Sequence, residues 1–91
     1  MNKTRRNILS KKITELETLK FQLEDIKSEI EDVHSEEEDA FDSMPESLQD
    51  SEHGQVMQEN INSLDEAFSN LDDIISNIDD VIDTLNEVIE R

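Results

Sequence analysis

The chain has no cysteine, no tryptophan and no tyrosine, and it has one glycine and one proline. Without cysteine there are no disulfides, no thiolate metal sites and no thiol nucleophile. One glycine cannot build a glycine-rich phosphate loop. So little glycine and proline also argues against an all-β or loop-rich fold. Basic charge is scarce: eight Lys and Arg stand against 25 Asp and Glu, a net charge of −17. Phosphates demand a basic footprint, so direct nucleic-acid binding and an anionic membrane surface are set aside. The natural electrostatic complement is a basic protein surface. Long apolar runs are missing too. Lys3, Arg5 and Arg6 are followed by Lys11 and Lys12 before any run of signal-peptide length, and no later stretch is long and apolar enough to span a bilayer. The expectation is a cytoplasmic protein of one domain, 1–91.

What the chain does have is a heptad seam. From Met57 onward the apolar residues fall at Met57, Ile61, Leu64, Phe68, Leu71, Ile75, Ile78, Ile82, Leu85 and Ile89, in steps that alternate four and three. That pattern predicts a long helix, 52–90, packed against other helices. Residues 63–90 form four consecutive heptads of the kind polar-apolar-acid-acid-apolar-apolar-polar, as in Asn70-Leu71-Asp72-Asp73-Ile74-Ile75-Ser76. A seven-residue period means helix packing with a left-handed supercoil. The repeat carries a second apolar row, Ala67, Ile74, Val81 and Val88, beside the seam. The combined stripe is wider than one neighbouring helix covers. These four residues are therefore expected to form a dimer interface.

The first helix is expected over 3–42. Leu9, Leu16, Leu19, Leu23, Ile26, Ile30 and Val33 continue the three-four alternation, with Lys12 filling one slot. With Leu16 at position a, the flanks hold Glu15, Gln22 and Glu29 at g and Lys20, Lys27 and His34 at e. These flanks read as ordinary solvated charge. Phe21 falls nearly opposite this seam and is a candidate partner contact. The connection, 43–51, contains Pro45, which suits the first turn of a new helical segment. Ser51 is a good N-cap for the second helix, with Glu52 beside its positive end. Phe41, Met44 and Leu48 are expected to close the end of the apolar core and to offer further partner contacts.

Charge divides unevenly. From Ser28 to Glu90 there are 21 carboxylates and no Lys or Arg. Asp72, Asp73, Asp79, Asp80 and Asp83 recur along the second helix, either as a solvated face or as a negative ridge for a basic partner. Catalytic patterns do not emerge. The two histidines, His34 and His53, lie in different segments. Glu31-x-x-His34 has a bundle-type metal spacing but lacks the second glutamates such a site needs. No window from Glu36 to Gly54 matches a calcium loop, which needs Gly at the sixth position and Glu at the twelfth. The chain is read as no enzyme, with no cofactor and no metal.

The string Ala40-Phe41-Asp42-Ser43-Met44-Pro45-Glu46-Ser47-Leu48-Gln49, then Ser51-Glu52, Gly54 and the Asn-Leu-Asp-Asp-type repeats, resembles a group of small, acidic, uncharacterised helical proteins of phages and prophages of low-GC Gram-positive bacteria. The likeness covers about half the chain. It departs at His53, where the usual loop carries a basic residue. The resemblance implies a mobile-element origin and a host-cell cytoplasm; no activity comes with it.

The expected fold is all-α: an antiparallel two-helix coiled-coil hairpin that dimerises into a four-helix bundle. The expected function is that of a non-catalytic protein–protein interaction module, a homodimer that can also meet a basic protein. Two other readings stand beside it: an acidic DNA mimic that inhibits a nucleic-acid-binding host or defence protein, and a scaffold-like assembly protein.

Overall fold

The computed structural model describes residues 1–91 as three helices: α1 (Lys3–Asp42), α2 (Glu46–Gln49) and α3 (Glu52–Glu90). There is no strand. The long helices α1 and α3 lie side by side in a rod of 68 × 15 × 14 Å. Two ion pairs set their direction. Lys20 meets Asp79 at 2.8 Å and Lys27 meets Asp72 at 2.6 Å, so higher numbers on α1 face lower numbers on α3. The helices therefore run in opposite directions. No helix is long and apolar enough to cross a membrane.

Local chemistry fixes the ends. The Asn2 side chain caps α1 by accepting the Arg5 N–H at 2.8 Å. At the other end of α1, the Ser43 N–H reaches the Asp39 carbonyl at 3.0 Å, and Pro45 follows, which cannot continue a helix. Pro45 instead starts α2, where its carbonyl accepts the Leu48 N–H at 2.8 Å. The Gln49 side chain ties this short turn back to α1, donating to the carbonyls of Phe41 at 3.0 Å and Met44 at 3.3 Å. The Ser51 hydroxyl donates to the Leu48 carbonyl and accepts the Gly54 N–H at 3.2 Å, so one side chain closes α2 and caps α3.

Gly54 is the one glycine, and a close approach explains it. It is buried in the first turn of α3. A Cβ there would lie 2.6 Å from the Leu48 carbonyl oxygen and nearer still to that of Gln49. Those are backbone atoms, which cannot step aside as a flexible side chain would.

The core is thin, as a pair of helices dictates. Ile13, Met57, Ile61, Ile75 and Ile82 are buried. The other seam residues of α3, Leu64, Phe68, Leu71, Ile78, Leu85 and Ile89, are half-buried. All ten expected α3 seam positions thus face α1.

The seam of α1 differs from the expected one. Leu9, Leu16, Leu23 and Ile30 do turn toward α3, but Leu19, Ile26 and Val33 stay exposed. Their places are taken by Ile13, Lys20, Lys27, His34 and Phe41, all buried or half-buried. His34 sits in the seam and not on its flank, its ring edge-on to Phe68 at 5.3 Å, with Nδ1 3.7 Å from Glu38. The observed rotation brings Lys20 and Lys27 to Asp79 and Asp72, and it brings the apolar side chains of Ile13 and Phe41 inward. The long aliphatic stems of the lysines cover apolar surface while their ammonium groups reach out to the carboxylates. The helix pair by itself leaves about half of each of Leu19, Ile26 and Val33 uncovered.

Candidate functional site

With the observed seam lettered a and d, position a of α1 holds Ile13, Lys20, Lys27 and His34, and d holds Leu9, Leu16, Leu23 and Ile30. In α3, a holds Ile61, Phe68, Ile75 and Ile82, and d holds Met57, Leu64, Leu71, Ile78 and Leu85. Leu19, Ile26, Val33 and Ala40 are then all at g of α1. Ala67, Ile74, Val81 and Val88 are at g of α3. In an antiparallel pair the g row of one helix flanks the g row of the other, and the e rows flank each other on the opposite side. The contacts agree. Lys20 and Lys27 reach the e-row residues Asp79 and Asp72, and the g-row Asn60 amide approaches Glu37 at 3.5 Å on the other side.

The g side is an apolar stripe. Leu19, Ile26, Val33, Ile74 and Val81 are each between 45% and 51% exposed. Ala67 is exposed and Val88 half-buried. From the ion-pair levels, Leu19 lies almost level with Val81, Ile26 with Ile74 and Val33 with Ala67. The four expected interface residues of α3 therefore share one face with three residues of α1 that the sequence reading had assigned to the seam. Charge avoids the α3 half of this face. From Val56 to Val88 its g row and the adjoining c row, Val56, Ser63, Asn70, Asn77 and Thr84, contain no ionisable side chain, in a chain with 25 carboxylates. Contiguous exposed apolar rows of this kind occur at interaction sites, ligand grooves and aggregation-prone faces.

The e side is polar. A shallow groove there is lined by Glu24, Lys27, Ser28, Glu31, Asp72 and Ile75. Lys27 bridges Asp72 and Glu31, the latter at 3.4 Å. The hydrogen bond that Lys20 donates to Asp79 holds its ammonium above the ordinary value of 10.5, partly opposed by desolvation. Asp72, with a lesser contribution from Glu31, does the same for Lys27. Each of these pairs is half in water, so it is a modest orienting contact.

The expected partner-contact residues are scattered. Phe21 is 66% exposed and sits at b, on the outer e-side flank. Phe41 and Met44 are half-buried at the turn, while Leu48 is 49% exposed. Asp72 and Asp79 are engaged by lysines of α1. Asp73, Asp80 and Asp83 are exposed and have no ion-pair partner. No group of three His, Asp or Glu side chains is arranged to hold a metal ion. Glu31 and His34 are drawn to Lys27 and Glu38 respectively.

Two features escaped the sequence reading. One is the exposed row Leu19, Ile26, Val33. The signal for it was present: Lys20 and Lys27 are seven apart, as are Asp72 and Asp79, and pairing them rotates that row outward. The other is a charge arrangement on α1 that opposes its own dipole. Its first turn holds Lys3, Arg5 and Arg6 and no acid; its last turns hold Glu38, Asp39 and Asp42 and no base. Both ends cost the helix stability.

Comparison with known proteins returned no matching family model, no matching curated protein and no matching solved structure.

Proposed function

We propose that the chain is a non-catalytic protein–protein interaction module, a coiled-coil helical hairpin that associates with a second copy of itself. The observation that carries this reading is the g-side stripe, apolar and free of charge on α3 in a chain of net charge −17. Random solvation of so acidic a surface would not keep ten adjoining positions of one helix uncharged. Burying the stripe against a copy covers Ala67, Ile74, Val81 and Val88 and yields a four-helix bundle. A host-cell cytoplasmic setting for a phage-type protein rests on the resemblance of the loop and repeats.

Sedimentation equilibrium at micromolar concentration tests the reading. The expected mass is twice 10.5 kDa. A strict monomer overturns self-association and makes the stripe a docking face for a different protein. Large open oligomers favour the assembly-scaffold reading.

A second reading, the acidic DNA mimic, draws on Asp73, Asp80 and Asp83, which stay unpaired on the side away from the stripe. Capture of a basic partner by these groups would weaken steeply as salt rises, because the attraction is screened within about 10 Å at 0.1 M. Self-association of two −17 chains through an apolar face strengthens with salt instead, since screening relieves their mutual repulsion.

A further inference from the structure

We infer that the second copy lies antiparallel on the g-side face, with the twofold axis at the level of Ile26 and Ile74, so that Leu19, Ile26 and Val33 of α1 form half of the interface. This rests on the self-association reading above and adds the orientation and the contribution of α1.

The size of the face fits. From Lys12 and Val88 at one end to Ala40 and Asn60 at the other are four heptads, about 42 Å at ~1.5 Å per residue. Two helices side by side are about 20 Å wide. The resulting area of roughly 800 Å² per copy is what a stable specific interface buries.

Side-chain volumes choose between the two available twofold axes. An axis across the helices at Ile26 places α1 on α1 and α3 on α3, each antiparallel. Leu19 then meets Val33 of the second copy, Val81 meets its Ala67, and Ile26 and Ile74 meet their own counterparts. Each larger residue faces a smaller one, which fills the layers evenly. An axis along the rod would instead gather two Leu19 and two Val81 in one layer, and two Val33 and two Ala67 in another. The first would be crowded and the second underfilled. The uncharged c row agrees with the crosswise axis as well, bringing Asn70 level with Asn77 of the second copy and Ser63 level with its Thr84.

Charge makes the same choice. Residues 1–14 contain five Lys and Arg and no acid; residues 35–60 contain nine acids and no Lys or Arg. These segments occupy opposite ends of the rod. An antiparallel copy sets the basic end of each chain beside the acidic end of the other. A copy turned about the long axis sets like beside like. Mutual repulsion of the net charges is common to both, so the end-to-end asymmetry decides. It also gives a use to the basic N-terminus and acidic C-terminus of α1, which oppose that helix's own dipole.

The chain has no cysteine, so single cysteines report directly. Ile26→Cys, Leu19→Cys, Val33→Cys, Val81→Cys and, as a control, Phe21→Cys are treated with a short bismaleimide after circular dichroism confirms helix content. The expected result is efficient dimer formation by Ile26→Cys alone and by Leu19→Cys mixed with Val33→Cys, with Phe21→Cys and Leu19→Cys alone at background. Linking of Leu19→Cys to Val81→Cys, with none by Ile26→Cys alone, overturns the antiparallel arrangement while leaving the dimer intact. Sedimentation of each unlinked variant separates that outcome from a chain that does not self-associate, which overturns both.

Discussion

Placing one carboxylate at the centre of the stripe should dissolve the dimer and leave the helix pair folded. Ile74 is 46% exposed in the single chain. About half of its burial, roughly 1 kcal/mol of the ~1.5–3 kcal/mol for a full side chain, therefore remains to be gained on association. Ile74→Asp forfeits that gain in both copies, about 2 kcal/mol in all. Near the twofold axis the two introduced carboxylates also face each other. At a separation of about 6 Å and an effective dielectric near 20, they repel by about 3 kcal/mol. The sum, roughly 5 kcal/mol, weakens the dissociation constant about a thousand- to ten-thousand-fold. Within the single chain the half already covered is forfeited too, so the helix pair loses about 1–2 kcal/mol from that burial and from helix propensity. Sedimentation equilibrium over a wide concentration range measures the first effect, and circular dichroism checks the second. Phe21→Asp, on the opposite flank, should leave the dissociation constant unchanged. An Ile74→Asp variant that dimerises as tightly as the parent refutes the placement of the interface.

Two further outcomes follow from the turn and the ion pairs. Gly54→Ala should destabilise the fold by about 1–3 kcal/mol in a urea titration, because the added methyl meets the backbone of Leu48 and Gln49; a gain in stability, as helix propensity alone suggests, contradicts the close approach. Lys20 and Lys27 are raised above 10.5 in the folded chain. Their contribution is therefore fully present below the unfolded value near 10.5 and is lost as pH climbs through the higher folded values. Thermal melts between pH 9 and 12, a range of roughly three units about the ordinary lysine value, should show a fall at the alkaline end. A Lys20→Met, Lys27→Met double variant should show a smaller fall, and identical curves for the two proteins contradict the assignment.

The α3 seam was legible because every a and d position from Met57 to Ile89 is apolar, so only one rotation of the helix buries them all. The second row, Ala67, Ile74, Val81 and Val88, was legible for the same reason. In α1 two overlapping alternations compete. One runs through Leu19, Ile26 and Val33 and the other through Ile13, Lys20, Lys27, His34 and Phe41. Apolar count alone favours the first. The second is the one that faces α3, and it sets Lys20 and Lys27 against Asp79 and Asp72, a match that belongs to the pairing of helices and not to α1 alone. The seam error and the missed exposed row are thus one event: the leucine, isoleucine and valine assigned inward are the residues that complete the outer stripe. Gly54 shows in the sequence only as the chain's one glycine. Its necessity depends on α2 folding back within reach of it, which no local pattern announces.

The central claim, that the g-side stripe is the face two copies share, is tested most directly by isotope-filtered nuclear Overhauser measurements on a mixture of ¹³C-labelled and unlabelled chains. Intermolecular contacts are expected from the methyl groups of Leu19, Ile26, Val33, Ile74 and Val81, and none from the buried seam methyls of Ile61 and Ile75. Contacts arising from the e side, or no intermolecular contact at concentrations where the mass is that of a dimer, contradict it.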